Sequence, residues 1–414
     1  MNHSDTEVVI VGGGAAGVAA GRRLQEAGIG CLIVEARSRL GGRAWTVNDA
    51  LDCALDLGCG WLHSADRNPW SRIAELVGYS IDKTPPPWAG PSLPLGFSPA
   101  DQREFSDALD GLYERAGAAA RQEPDVALAE LLAPGCRWNG LIDAVVSYIS
   151  GGNAAQVSAR DFDNYADNGV NWRVREGYGA TVAAYGQGVP AVLNCPVTRI
   201  DHSGRRLKIE TESGAIAADR AIVTLPSTVI AENEKLFAPR LSEKVEAAAN
   251  LPLGLNDKLF IALDRPEEFE VGSHLFGRAD RSATANYHLR PFGRPMIEAF
   301  FGGGLARDLE ARGADAFFEF AVDELTAHFG SAFAGRLRPL RIHCWGADPF
   351  ARGAYSFALP GRAQSRAVLA APVDERLFFA GEACSAHDFS TAHGAFLTGI
   401  AAAEQCMAAR AAGT

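Results

Sequence analysis

Gly12, Gly14 and Gly17 stand at GxGxxG spacing directly after the unbroken β-branched run Val8, Val9, Ile10 and Val11, and the chemistry of that pattern is pyrophosphate binding. The first glycine permits a tight turn, the second lets backbone approach the phosphates, and the third lets the next helix pack on the strand. Free N–H groups at the helix start then face the anion. Glu35 closes the next apolar run, Cys31–Val34. It lies roughly 20 residues past the glycines, where a carboxylate accepts hydrogen bonds from an adenosine ribose. Gly41, Gly42 and Arg43 add backbone donors and a fixed cation suited to the same phosphates. Gly381 with Glu382, between the apolar Leu377–Phe379 and a C-terminal helix, forms a second turn able to hold the far end of a long cofactor. A dinucleotide fits this set, and the first glycines with Glu35 do not choose between a nicotinamide and a flavin.

These residues need elements to carry them. A helix is expected over 15–27, with Val18, Ala19, Leu24 and Ala27 on one side and Gly28 as its stop. The stretch 85–99, PPPWAGPSLPLGFSP, continues neither sheet nor helix and marks a domain crossing. Helices follow at 100–120, 126–132 and 141–149, forming a helical subdomain. Sheet returns at 191–193, 197–200, 207–210 and 217–225, the last reading as a buried parallel strand that brings the chain back to the nucleotide domain. Residues 256–261 open further strands and helices, and a last helix runs from His393 through Ala403. The fold class is therefore α/β: a Rossmann-like domain of residues 1–80, 186–245 and 341–414, interleaved with an α+β substrate-binding domain of 81–185 and 246–340 that contains a mixed sheet and the helical subdomain.

A chain of 414 residues suits two domains, and 47% hydrophobic content makes it globular. The formal charge of −11 argues against nucleic acid and against docking on an anionic membrane, and favours a cationic ligand. No apolar run is long enough to span a bilayer. Polar residues from Asn2 to Thr6 precede the first strand and leave no room for a targeting segment, so a cytoplasmic location is expected. The 8 cysteines show no CxxC pair and sit mostly in apolar runs, which points to buried free thiols, with no disulfide and no metal.

Taken together, VVIVGGGAAG, EARSRLGGRAWT, DLGCGWLHS, GLNDKLF, WGADPFARGAYSF and FFAGEACSAHDFSTAHGAFLTG resemble the flavin-containing amine oxidases, the group of monoamine, polyamine and spermine oxidases and lysine-specific histone demethylases. DLGCGWLHS and FSTAHGA lean toward the polyamine and spermine branch, and the stretch from about 80 to 180 matches least. The resemblance implies FAD in a GR2-type flavoprotein domain. Gly12, Gly14 and Gly17 would hold its pyrophosphate, Glu35 its ribose, Arg43 with Gly42 the phosphate and ribityl chain, and Val197 the adenine. Glu382 would meet the ribityl or pyrophosphate end, Gly58, Gly60 and Trp61 would line the flavin ring, and a helix start near Thr391 to Gly394 would face its C2 carbonyl. Ala16, Ala36, Arg37, Trp345, Gly381 and Ala392 complete the implied cofactor set.

The same resemblance implies catalytic roles. Lys258 matches a lysine that reaches flavin N5 through water, Tyr355 one aromatic wall of an amine cage, and Thr391 the other wall, where monoamine oxidases carry a second tyrosine. His63 matches a polar residue that touches substrate. Ala354 falls where those enzymes attach flavin through cysteine, so noncovalent FAD is expected. The implied reaction takes a hydride from the carbon beside an amine to flavin N5, leaves an imine that water hydrolyses, and passes electrons to O2 or another acceptor. Asp161, Asp163 and Asp167 either meet a distant ammonium of a polyamine or form a solvated acidic run. An L-amino-acid oxidase shares the architecture but would need an arginine for the carboxylate, with Arg173, Arg290 and Arg294 as candidates. An amine dehydrogenase with a non-oxygen acceptor would share every motif, and a desaturase or protoporphyrinogen-type flavoenzyme would need a larger apolar cavity and no aromatic wall at Tyr355.

Overall fold

The computed structural model describes residues 5–48 and 51–412, so the start of the polar leader, residues 2–4, lies outside the described residues. Strand β1 (Asp5–Val11) is central to an eight-stranded sheet and pairs in parallel with β2 (Cys31–Val34) on one side and β6 (Gly214–Val223) on the other. Both faces of β1 are covered, which is why its sequence is continuously apolar rather than alternating; Val9 and Ile10 belong to different cores on opposite faces. The sheet order is β7-β4-β5-β6-β1-β2-β3, with β3 Ala191–Val192, β4 Val197–Asp201, β5 Leu207–Thr211 and β7 Phe237–Ala238. The long β6 serves two partners on its other edge: its first half pairs antiparallel with β5, and its second half pairs in parallel with the strand Leu377–Phe379. The sheet is thus mixed.

Helix α1 (Ala15–Glu26) leaves the glycine turn and packs on the C-terminal helix Ala392–Ala412. Their approach is set by Gly399, where a Cβ would lie 2.3 Å from the Ala16 carbonyl oxygen. No larger residue fits there without moving one helix.

The second sheet has five strands, β8 (Asn256–Leu263), β9 (His274–Phe276), β10 (Asn286–Leu289), β11 (Met296–Gly302) and β12 (Leu337–Ile342), in the order β9-β10-β11-β8-β12 and antiparallel throughout. Its alternation is what positions the site. Leu259, Ile261, Tyr287, Ile297 and Phe301 point into an apolar core shared with Phe317 and Leu325. The intervening Lys258, His288 and Phe300 line a cavity, and a one-residue register slip would exchange the two sets.

The helical subdomain contains α2 (Pro99–Ala119), opened by a capping box between Ser98 and Asp101 with Pro99 in the first turn, and α3 (Asn139–Ser150). The helix expected over 126–132 is reduced to one 3-10 turn, Leu128–Leu131. The Leu128 and Ala129 N–H groups donate to the Val157 and Ala154 carbonyls, and this tertiary pairing replaces the helical ladder. Among the described residues no two cysteines form a disulfide, and Cys31, Cys195 and Cys406 are the buried ones. Among the described residues no helix is long and apolar enough to cross a membrane.

Candidate active site

A cavity of about 1390 Å³ runs from the glycine turn after β1 to the polar face of the second sheet. It exceeds the roughly 300–1,000 Å³ of an ordinary ligand pocket, as a site for a long cofactor plus a substrate must. Gly12, Gly14 and Ala16 line one end. Gly12 has φ +104°, closed to side-chain-bearing residues, and helix α1 starts from Gly14 with no side chain capping its free N–H groups. Gly17 does not line the cavity. A Cβ on it would lie 2.0 Å from the Gly12 carbonyl oxygen, so its place is helix-to-turn packing rather than ligand contact. Gly42, at φ +58°, brings its loop against the turn: its Cβ would lie 3.1 Å from Gly14 Cα.

Glu35 is buried and accepts from the Gly13 N–H at 2.6 Å and the Arg37 N–H at 2.8 Å, which fixes both carboxylate oxygens at the cavity edge beside Ala36. The Arg37 guanidinium lines the same edge but is held by Asp348 through two hydrogen bonds of 2.8 Å. Arg43 donates to the Ala354 carbonyl at 2.7 Å and to Glu382 at 2.8 Å. The other Glu382 oxygen accepts from the Ser356 hydroxyl at 2.6 Å and the Ser390 N–H at 3.0 Å. Burial works to raise the Glu382 pKa, yet Arg43 and these donors hold it below the usual value. Arg43, expected at the phosphate and ribityl chain, and Glu382, expected at the ribityl or pyrophosphate end, also bind each other and join the first and last segments of the cradle. Val197 and Gly381 line the cavity too.

At the other end stand Gly58, Gly60, Trp61, His63, Lys258 and Tyr355. Gly58 cannot be replaced without movement, because a Cβ would lie 1.7 Å from the Arg43 carbonyl oxygen. The Trp345 indole lines the cavity and donates to the Leu57 carbonyl at 3.0 Å. The Tyr355 hydroxyl donates to the Tyr148 carbonyl, which fixes the plane of its ring, and burial raises its pKa. Thr391 lines the cavity and also has a structural role. Its hydroxyl accepts from the Gly394 N–H at 2.9 Å and donates to the Asp388 carbonyl at 2.6 Å, so it caps the helix Ala392–Ala412. That helix start, with Ala392, faces the cavity.

His63 Nδ1 lies 2.6 Å from Asn171 Oδ1. The Asn171 amide donates to the Gly169 carbonyl, so its oxygen is the acceptor, His63 carries its proton on Nδ1, and Nε2 keeps a lone pair. Burial lowers the His63 pKa against the pull of Asp167.

Behind Lys258 lies a network the sequence did not disclose. Glu298 on β11, 0% exposed, binds Arg173 at 2.8 and 3.3 Å and Lys258 Nζ at 3.4 Å. Burial alone would raise its pKa, but Arg173 and then Lys258 reverse this and bring it to about 2. Arg173 also lies over the Trp61 ring, 4.9 Å from its centroid. His288, directly opposite Glu298 on β10, is driven by burial to a pKa of about 3 and is neutral. A lone glutamate in MIEAFFG was the available signal: an acid at an inward position of an apolar strand must be paired.

The acidic segment is neither uniformly solvated nor uniformly free. Asp161 is 1% exposed and is held by Arg366 through bonds of 2.7 and 2.8 Å, while it also accepts from the Ala358 N–H. Asp163 and Asp167 are exposed at the cavity. None of Arg173, Arg290 and Arg294 lines the cavity; Arg290 donates to the Phe269 carbonyl and Arg294 to the Ala54 and Arg175 carbonyls.

The glycine approaches, the uncapped start of α1 and the fixed Glu35 fit an adenine dinucleotide, and the cavity continues beyond them toward Lys258, as FAD requires. The sequence pattern described as Flavin containing amine oxidoreductase matches residues 15–87 and 130–407. The chain belongs to this family. It is an oxidoreductase acting on CH–NH groups, and its cofactor is FAD. Within the amine oxidoreductases it is 28% identical over 451 residues to polyamine oxidase 4 of Oryza sativa subsp. japonica, covering 97% of this chain and 89% of that protein. It is 26% identical over 460 residues to lysine-specific histone demethylase 2 of Homo sapiens, covering 98% of this chain and 54% of that one. Wild-type putrescine oxidase bound to putrescine shares the fold, with a TM-score of 0.79 over 98% of this chain and 99% of the other at 18% identity. The unmatched residues between 87 and 130 contain α2.

Proposed function

We propose that the protein oxidises a primary or secondary amine, of the kind its polyamine oxidase relatives are named for, and returns the electrons to O2 or another acceptor. The observation that carries this reading is one continuous cavity in which the cradle of Gly12, Gly14 and Glu35 meets Lys258, Tyr355 and His63. Bound FAD supplies the redox step by accepting a hydride equivalent from the carbon beside the amine, leaving an imine that water hydrolyses to a carbonyl.

The chain's own residues orient the amine and manage its proton. Tyr355 presents a ring whose plane is fixed by its hydroxyl, and a ring face attracts an ammonium without a counter-charge that would trap it. His63 is neutral, and its Nε2 lone pair accepts the proton that a substrate ammonium must lose before its carbon can give up hydride. Lys258, held by Glu298, orders water at the reacting end. The capped start of the helix Ala392–Ala412 sets a positive dipole end against the ring position, where it stabilises negative charge. Ala354 leaves no thiol for attachment, so FAD is noncovalent; acid precipitation should release the yellow colour into the supernatant, and colour kept in the pellet refutes this.

The test of the function is anaerobic mixing of the FAD-loaded protein with monoamines, diamines, polyamines and amino acids. Bleaching of the flavin by an amine is expected. Bleaching by amino acids alone, or by nothing, overturns the reading.

A further inference from the structure

Asp257 and Lys258 are neighbours on β8, so their side chains leave opposite faces of the sheet. Lys258 enters the cavity. Asp257 goes the other way, is 0% exposed, and accepts from the Trp345 N–H at 3.1 Å. The next N–H along the chain, that of Gly346, donates at 2.8 Å to Glu310 on the helix Gly303–Arg312. Two carboxyls thus hold two successive amides of the segment that follows β12. Their approach is close, since a Cβ on Gly346 would lie 2.4 Å from Glu310 Oε2.

The two carboxyls also meet each other. Burial first, and then the charge of Glu310, push the Asp257 pKa well above the usual carboxylate range, against the pull of the Trp345 N–H. Like charges that meet away from water do not both ionise. Asp257 therefore keeps its proton and shares it with Glu310 in a hydrogen bond. Its place requires an acceptor toward Trp345 and a donor toward Glu310, and a neutral carboxylic acid supplies both.

The segment so held belongs to the cofactor site. The Trp345 indole backs Gly58, whose Cβ would lie 3.1 Å from Trp345 Cζ2, and both residues line the cavity. The Trp345 carbonyl accepts from the Gly353 N–H at 2.9 Å, which closes the segment on itself. Three residues after Trp345, Asp348 holds Arg37 at the far edge of the same cavity. Asp257 is thus the point at which this wall is fastened to the strand that delivers Lys258.

We propose that the Asp257–Glu310 acid pair is a positioning device for the reacting end: it ties β8 to the wall made by Trp345 and Gly58, and so sets where the Lys258 ammonium stands relative to the bound cofactor. The proposal rests on the amine-oxidising reading above, in which Lys258 acts at that end.

The experiment is rapid-mixing anaerobic flavin reduction in wild type, Asp257→Leu, Asp257→Asn and Glu310→Ala, each also in the K258M background, with the visible circular dichroism of bound FAD recorded for every protein. Asp257→Leu keeps the size of the side chain and loses both bonds. Its limiting reduction rate should fall about 10-fold or more, with the half-saturating amine concentration changed by less than about twofold. The dichroism of its flavin should change as well. Asp257→Asn retains an acceptor and a donor and should regain most of the rate and the wild-type dichroism. In the K258M background the leucine variant should cost no more than about twofold. Glu310 is only half-buried, so Glu310→Ala should show the same pattern more weakly and decides the matter if Asp257→Leu does not fold. A lowered denaturation midpoint with wild-type rate and dichroism overturns this inference and leaves amine oxidation standing, as does an equal fold-loss in both backgrounds or an asparagine variant no better than the leucine one. No reduction of the wild-type flavin by any amine removes both.

Discussion

Glu298→Gln takes away the carboxylate that holds Lys258 while keeping the size of the side chain. At the observed 3.4 Å, and with an effective dielectric of about 20, the Glu298–Lys258 attraction is about 5 kcal/mol. Desolvation of both groups cancels a large part of that. What remains is enough to let the Lys258 ammonium leave its position, and kcat should fall about 10- to 100-fold, or about 1.4–2.8 kcal/mol. Arg173 loses its partner at the same time, so stability should drop by about 3–5 kcal/mol, as when one member of a buried pair is removed. Because the Glu298 carboxyl lies at about 2 instead of the usual 4.5, its contribution is complete above pH 4.5 and is lost only as pH falls toward 2. The stability difference between wild type and variant should therefore be flat from about pH 5 to 8. The assay is rapid-mixing flavin reduction in wild type, E298Q, K258M and the double variant. If Glu298 acts through Lys258, E298Q costs little further in the K258M background. An equal fold-loss in both backgrounds refutes the argument.

Asp161→Asn should cost about 3–5 kcal/mol in chemical denaturation, since Arg366 is left buried and unpaired, and it should leave the ratio of polyamine to monoamine KM unchanged; a changed ratio would return Asp161 to the substrate. Gly17→Ala should lower the flavin-to-protein absorbance ratio of the purified enzyme, because its Cβ meets the Gly12 carbonyl oxygen at 2.0 Å and the turn must shift; full FAD occupancy would show that the turn tolerates a side chain. Glu324 is raised by burial to about 7, and His288 is lowered to about 3. Between about pH 4.5 and 6.5 the glutamate makes stability fall with rising pH and the histidine makes it rise, so their slopes oppose each other. Glu324→Gln removes one of them, and the variant should lose about 1.4 kcal/mol more per pH unit than wild type between pH 6.5 and 5. Parallel pH profiles of denaturation midpoints would refute the assignment.

The nucleotide end of this protein was legible in the amino-acid order because its signals are local. A β-branched run, glycines at fixed offsets and an acid at the next strand end dictate a strand, a turn and a cradle within 30 or so residues of chain. The motif order extended this to FAD and to Lys258 and Tyr355. Thr391 stands at the cavity where the resemblance put it, and its bonds to Gly394 and Asp388, which also make it a helix cap, appear only once the helix forms. Gly17 packs behind the cradle rather than lining it, and Arg43 and Glu382 line it while also binding each other, a pairing that the amino-acid order did not show. Asp161 looked solvated among its acidic neighbours until Arg366, 205 residues away, was brought against it.

The amino-acid sequence by itself thus determined which dinucleotide cradle this chain builds, since backbone conformation there depends on glycines and neighbours a few residues apart. Tertiary structure decided how the reacting end is held. Lys258, Glu298, Arg173 and His288 come from distant stretches, and only the register of an antiparallel sheet places them on one face, where burial and charge give each its protonation state.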